Sequence, residues 1–457
     1  MAERSTTRLQ ISGQRFLTRR MAHALVRGDV RMLDDPLRCQ SLSLAGGCVL
    51  AVIVIAVSAV LAFFAPRGRL GDAAIVMLRD SGAMYVRVGD TVHPVLNLAS
   101  ARLITGSAAA PHLVDAAAVD GVTRGPTLGI AGAPESIASP LAPNESGWTV
   151  CDDATSTTTA IAGTPAGSPP TDQSVLVSAR GESAASTYLL FNGQRAKVDL
   201  RNPAVVRALK LEGVAPRQVS RALLDAVPEV AEITAPVIPR AGTAGPSVLH
   251  GFGVGTVVRV PRAESSEFFV ILADGVQRIG EVAADLIRFT QSHGGREIAV
   301  VEPASIGAVP VVDDLAVAAF PDRGGVADDP VVCVQWRWSD ETRSVSSVVY
   351  TTNSVPVGGS GSPVTLAQAD AAGPQIDTVV LPAGRSAFVR AAGVGGAGAQ
   401  TGPRYLVTDR GVVYGIGDDD AAERLGLTGT PVPAPWPLLT RLPRGPQLSV
   451  AAASVAR

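Results

Sequence analysis

The sequence predicts a single transmembrane helix followed by an elongated α+β extracytoplasmic domain, in which four small β-hairpin/helix repeats flank a central β-rich domain. Three observations carry this reading. Residues 42–64 hold no charged side chain, a length that a helix needs to cross a bilayer core. The 457 residues include 47 glycines and 33 prolines, which favour short strands and turns over long helices. Short apolar strands ending in Asn-Gly or Asp-x-Gly turns recur along the chain.

The uncharged stretch extends over 39–66, with Arg38 and Arg67 outside it. Arg4, Arg8, Arg15, Arg19, Arg20, Arg27, Arg31 and Arg38 precede it; only Arg67 and Arg69 follow closely. Basic residues beside a spanning helix stay on the cytoplasmic side, so the N-terminus is expected inside and the body outside. A cleaved signal peptide would need a shorter basic start and a shorter apolar run. A buried core helix with no polar side is a poor fit to a Gly/Pro-rich chain.

In the tail, 1–41, the segment 14–26 carries Phe16, Leu17, Met21 and Leu25 at helical spacing, with Arg15, Arg19 and Arg20 among them. A basic amphipathic helix beside a membrane lies on anionic lipid or docks on a partner. Arg15, Phe16, Arg19, Arg20, Arg27 and Arg31 are the candidate docking residues.

The formal net charge of −2 gives no bulk electrostatic case for nucleic acid. Cys39 and Cys48 lie at or in the anchor; Cys151 and Cys333 lie in the body, each near tryptophan in a strand-like context. In an oxidising compartment the latter two most simply form one disulfide; the alternative is two buried thiols.

The repeat is read from four turns: Asp80-Ser-Gly82, Asn192-Gly193, Asp274-Gly275 and Asp409-Arg-Gly411. A short helix then stops at glycine in Ile104-Thr-Gly106, Leu211-Glu-Gly213 and Leu427-Thr-Gly429. Leu223-Leu224-x-x-Val227-Pro228 matches Leu438-Leu439-x-x-Leu442-Pro443, a second packing helix stopped by proline. The expected units are 72–115, 185–230, 266–311 and 402–446, followed by a tail, 447–457. The central β-domain is expected in two pieces, 116–180 and 312–400, with loops at 155–170 and 356–373.

Catalytic signatures are missing. Neither lysine, Lys197 or Lys210, follows a glycine, so no P-loop exists. Gly251-x-Gly253-x-Gly255 precedes a strand rather than opening a helix. The histidines His23, His93, His112, His250 and His293 are scattered, without metal-ligand spacing. Asp313-Asp314 could be imagined as ligands, and the aspartates at 418–420 are better read as a helix N-cap. No catalytic, cofactor or metal residue is assigned.

The run Ser12-Gly-Gln-Arg-Phe16-Leu-Thr-Arg-Arg20, then Ala24-Leu-Val-Arg-Gly-Asp29-Val-Arg-Met32 and Asp35-Pro36-Leu-Arg38, resembles the EccB family. These are membrane components of the mycobacterial type VII (ESX) secretion system. The likeness continues through Trp148-Thr-Val-Cys151-Asp152 and Val332-Cys333-Val334. It implies a structural subunit of the inner-membrane secretion complex with a periplasmic body. The implied partners are the EccC motor ATPase, EccD, EccE and the MycP protease, together with self-association. The family is often labelled as an ATPase, a label for which these residues hold no motif. The repeats resemble cell-wall-binding modules of phage lysins, which makes peptidoglycan a second implied ligand.

Overall fold

The computed structural model describes residues 7–28, 36–64, 70–167, 169–170, 173–182, 186–262, 265–290, 298–359 and 361–456, with backbone alone at 27, 36–40 and 62–64. The chain divides into two compact units, Met1–Arg69 and Leu70–Arg457.

The first unit holds two helices. Helix α1, Arg8–Arg27, is longer than the 14–26 expected. It starts earlier because the Thr7 amide donates to Gln10 Oε1 at 3.2 Å, and Arg8, Leu9 and Gln10 are good helix formers. It ends at Gly28, whose φ of 68° gives the left-handed cap. Helix α2, Pro36–Phe64, opens on proline, whose missing amide would have no helical partner at that position. Its 21 residues Ser41–Leu61 are long and apolar enough to cross a membrane, and none is buried.

The second unit contains five sheets among the described residues. The first sheet is built from β1 (Ile75–Leu78), β2 (Met84–Val88), β3 (Thr91–Val95), helix α3 (Leu98–Thr105), β4 (His112–Val114) and helix α4 (Ala117–Asp120). Strands β1 to β3 form an antiparallel meander, and β4 returns parallel to β1. After the two-residue strand β5 (Ser139–Pro140), β6 (Gly147–Asp152) and β7 (Thr158–Ala162) start the central sheet.

The second small sheet uses β8 (Ser174–Ala179), β9 (Thr187–Phe191), β10 (Gln194–Lys197), α5 (Pro203–Ala208), β11 (Arg217–Val219), α6 (Arg221–Asp225) and β12 (Glu229–Val230). The third uses β13 (Val257–Pro261), β14 (Ser266–Ile271), β15 (Val276–Ile279), α7 (Glu281–Thr290), β16 (Ala299–Val300) and α8 (Pro303–Gly307). The central sheet then resumes with β17 (Val331–Ser339), β18 (Ser344–Thr352), β19 (Val364–Thr365) and β20 (Thr378–Val380). The fourth small sheet closes the chain with β21 (Arg385–Ala392), β22 (Arg404–Val407), β23 (Val413–Gly415), α9 (Asp419–Leu425), β24 (Val432–Pro435) and α10 (Trp436–Leu439), before α11 (Val450–Ala453).

All four small sheets share one connectivity. Three antiparallel strands are followed by a helix and by a strand parallel to the first: β4 on β1, β11 on β8, β16 on β13 and β24 on β21. A last extended segment then lies parallel to the third strand, as β12 on β10 and in the bridges Val92↔Arg124, Val276↔Val311 and Val413↔Arg444.

Several expectations are corrected. In the last three small sheets the Asn/Asp-Gly turn joins the second and third strands; in the first, Asp80-Ser-Gly82 joins the first and second. The matching turn there is Gly89-Asp90, with Gly89 at φ 61°. Strands β8 and β21, assigned to the central domain, are instead the first strands of the second and fourth sheets. Strand β13 lies ahead of the expected third unit and is its first strand. The expected 155–170 loop contains β7, because Asp153 Oδ1 accepts the amides of Thr155 and Thr157 at 2.9 Å and turns the chain back on β6. The expected 356–373 loop holds β19, which pairs with β20.

Two helix stops also move. The left-handed cap after α5 falls on Lys210, at φ 55°, and the cap of α9 falls on Gly426, at φ 85°. Both lie three residues before the predicted Gly213 and Gly429. The expected C-terminal tail buries Leu448 and Ala453 against α3 and α9.

The central sheet runs β18-β17-β6-β7-β20-β19 and is drawn from two distant stretches of chain. Its main core includes Trp148, Trp336, Leu223, Leu224, Val227, Leu438, Leu439 and Leu442. Thus the paired Leu-Leu helices α6 and α10 both pack into this core. Two turns approach the sheet, one at its edge strand β18 and one at β20. A Cβ on Gly193 would sit 2.1 Å from Ser347 O on β18, and one on Gly411 would sit 2.6 Å from Val379 Cγ1 on β20. Helix α3 shares a core with α9, and α5 shares one with α7.

Candidate functional site: anchor, basic helix and braced sheet

Helix α1 carries no acidic residue, and Arg15, Phe16, Arg19 and Arg20 are exposed on it. Arg27 belongs to its last turn, described by backbone only, and Arg31 lies outside the described residues. Ile11, Leu17, Met21 and Leu25 are exposed as well, whereas His23 is only 5% exposed.

Cys151 and Cys333 are bonded, as expected, across a separation of 182 residues. They are direct register partners on β6 and β17, as are Trp148 and Trp336 on the same strands. Cys333 also faces Tyr350 on β18. The pair, Tyr350 and Val331 form one small buried cluster. Burial pushes the Tyr350 phenol up to about 12.

Next to the disulfide lies a polar knot that the sequence reading missed. Asp152 is buried and accepts from Thr158 Oγ1 at 2.8 Å, from Ser220 Oγ at 3.0 Å and from the Ser220 amide. Arg180 Nη2 lies 3.7 Å from its carboxylate. Burial raises the Asp152 pKa, and the Ser220, Thr158 and Arg180 contacts oppose that rise. Asp377 accepts the amides of Thr158 at 2.8 Å, Asp370 at 2.9 Å and Ala371 at 2.7 Å. Ser220 is the N-cap of α6, so the knot ties the second sheet's helix to the end of β6. The one sequence signal was an aspartate directly following a strand cysteine. A second junction joins the Leu-Leu helices, where Asp225 meets Arg441 at 3.1 Å and Arg221 at 3.3 Å.

The residues weighed for catalysis take structural places. Lys197 lies 3.8 Å from Glu229 and Lys210 lies 2.9 Å from Glu281. Asp418 caps α9 by accepting the Ala421 amide at 2.7 Å, as read from the sequence. Asp313 accepts from Gln277 Nε2 at 2.9 Å. Among the described residues no cluster of three His, Cys, Asp or Glu could hold a metal ion.

One helix of spanning length precedes a disulfide-braced α+β body, the plan of a membrane-anchored protein. The family model "Type VII secretion system ESX-1, transport TM domain B", that of EccB, matches residues 3–457. The chain is 37% identical to the ESX-3 secretion system ATPase EccB3 of Mycolicibacterium smegmatis, over 98% of this chain and 90% of that protein. It is 38% identical to the ESX-5 secretion system ATPase EccB5 of Mycobacterium tuberculosis, over 98% and 93%. Among solved structures it is similar to a chain of an intact ESX-5 inner membrane complex, with TM-score 0.71 at 34% identity over 100% and 96% of the two chains. It is also similar to EccB3 in a dimer from the ESX-3 core complex, with TM-score 0.72 at 34% identity over 84% and 100%. The chain belongs to the EccB family of type VII secretion proteins.

Proposed function

We propose that this chain is a structural subunit of an ESX inner-membrane secretion complex, anchoring and bracing the assembly through its periplasmic domain. The observation that carries this reading is the family match over 3–457, joined to a helix of spanning length at Ser41–Leu61. Helix α2 crosses the inner membrane once. The arginine-rich tail sits in the cytoplasm and the body in the periplasm, the orientation that the arginine asymmetry favours. Arg15, Phe16, Arg19, Arg20, Arg27 and Arg31 dock the tail on the complex. EccC, EccD, EccE and MycP are its partners, and copies of the body associate with one another, which the dimer of the EccB3 relative supports.

The four small sheets are copies of one unit, a reading supported by their common connectivity. Hairpin-built units displayed in number suit polyvalent binding, so peptidoglycan is a second ligand class for the body. The scaffold reading is tested by deleting residues 1–40 in cells. The expected outcome is loss of the complex on a native gel while the body keeps its disulfide and its fold. An intact complex after that deletion would falsify the docking role.

A further inference from the structure

Helix α1 has an uncharged side distinct from its arginine side. Successive helical residues turn by about 100°, so Ile11, Leu17, Met21 and Leu25 share one side with Gln10, Gln14 and Thr18. No charged residue enters that arc of roughly 120°. Arg8, Arg15 and Arg19 lie on the opposite side. The four apolar side chains are 44% to 86% exposed. Of the described side chains of this helix only His23 is buried and Ala24 half-buried; Leu9, Phe16 and Val26, outside the arc, are exposed as well, so charge and not exposure distinguishes the two sides.

Two further observations select what covers the uncharged side. Only residues 29–35 separate Gly28 from Pro36 of α2, a tether whose extended reach is about 25 Å. Where α2 crosses a bilayer, the C-terminal end of α1 is therefore held within about 25 Å of the start of α2. The helix carries arginines and no acidic side chain, complementary to an anionic lipid surface.

We infer that α1 lies in the plane of the membrane. Ile11, Leu17, Met21 and Leu25 sink into the leaflet that α2 leaves, and the arginines reach anionic phospholipid headgroups. The inference deepens the docking role proposed above and rests on α2 being a membrane span. Phe16 stands among the arginines and stays available to a protein partner.

The test uses the full chain with Cys39→Ser and Cys48→Ser, carrying one added cysteine at a time: Ser12→Cys, Leu17→Cys, Met21→Cys, Leu25→Cys or Val54→Cys. Each is labelled with an environment-sensitive fluorophore and reconstituted with nitroxide lipid as quencher. In phosphatidylcholine vesicles with about 30 mol% phosphatidylglycerol, quenching at positions 17, 21 and 25 is expected to exceed that at position 12 several-fold. The contrast is expected to shrink in pure phosphatidylcholine and in high salt. Arg15→Gln with Arg19→Gln should lower it by at least about half. Strong quenching at position 54 with equal signals at 12, 17, 21 and 25 overturns the lipid occupant and leaves the span intact. Absence of quenching at position 54 overturns the span, and the inference with it. A contrast that emerges only when other complex subunits are added assigns the surface to a protein and overturns the inference too.

Discussion

Gly193 shows how one residue can serve two constraints. Its φ of 71° lies where L-residues are strained, and its missing Cβ lets the turn approach Ser347 O on the central sheet. Gly213 has nearly the same φ, 72°, with open space around it. Gly213→Ala should therefore cost about 1 kcal/mol, the backbone penalty alone, and Gly193→Ala about 3 kcal/mol or more. Denaturant midpoints of the two variants measure the difference. Equal costs would mean that the turn does not press on the sheet. Tyr350 makes a second prediction. Its phenol ionises at about 12 in the folded chain, against 10.0 as its ordinary value. Between those values the folded state holds the proton that the unfolded state has lost. The stability present below pH 10 therefore falls as pH rises from about 10 to 12, by about 3 kcal/mol. Tyr350→Phe should flatten the alkaline limb of the stability curve.

At the scale of elements, the brace is the β6–β17 pair. The disulfide crosses two neighbouring strands, and its two cysteines lie 182 residues apart along the chain. Closing so long a loop restricts the unfolded chain by about 5 kcal/mol in the chain-entropy account. The double variant Cys151→Ser, Cys333→Ser should lose much of that. Reductant should lower the unfolding midpoint of the parent chain and leave that of the double variant unchanged. The same strands carry the Asp152 knot to α6, so disulfide, buried carboxylate and helix cap form one junction. Helices α6 and α10 contribute Leu223, Leu224, Leu438 and Leu439 to the main core, apart from the small cluster around the disulfide. Their Leu-Leu-x-x-apolar-Pro pattern was legible in the sequence because a double leucine stopped by proline is a local signal. The polar knot was not, since Asp152, Arg180, Ser220 and Asp377 converge only through the sheet.

At the scale of the whole chain, the four small sheets raise the question of what polyvalent display serves. If the body contacts the wall, the detergent-solubilised full chain should sediment with insoluble peptidoglycan and be released by soluble wall fragments. No enrichment over a protein-free control would remove that ligand and leave the scaffold reading untouched. The anchor, the tail's charge bias, the Asn/Asp-Gly hairpins and the two body cysteines were determined by the sequence itself. The anchor, the charge bias and the hairpins rest on neighbours within a few residues or on an uncharged run, so local physics suffices, and the cysteine pair follows from the body holding two cysteines. Which sheet owns each strand was decided only by the tertiary structure. Strands β8, β13 and β21 open their sheets ahead of the conspicuous hairpins, and their partners β11, β16 and β24 return in parallel after a helix. Parallel pairing across such distances leaves no local pattern, because its stabilisation comes from burying both segments together in a shared core.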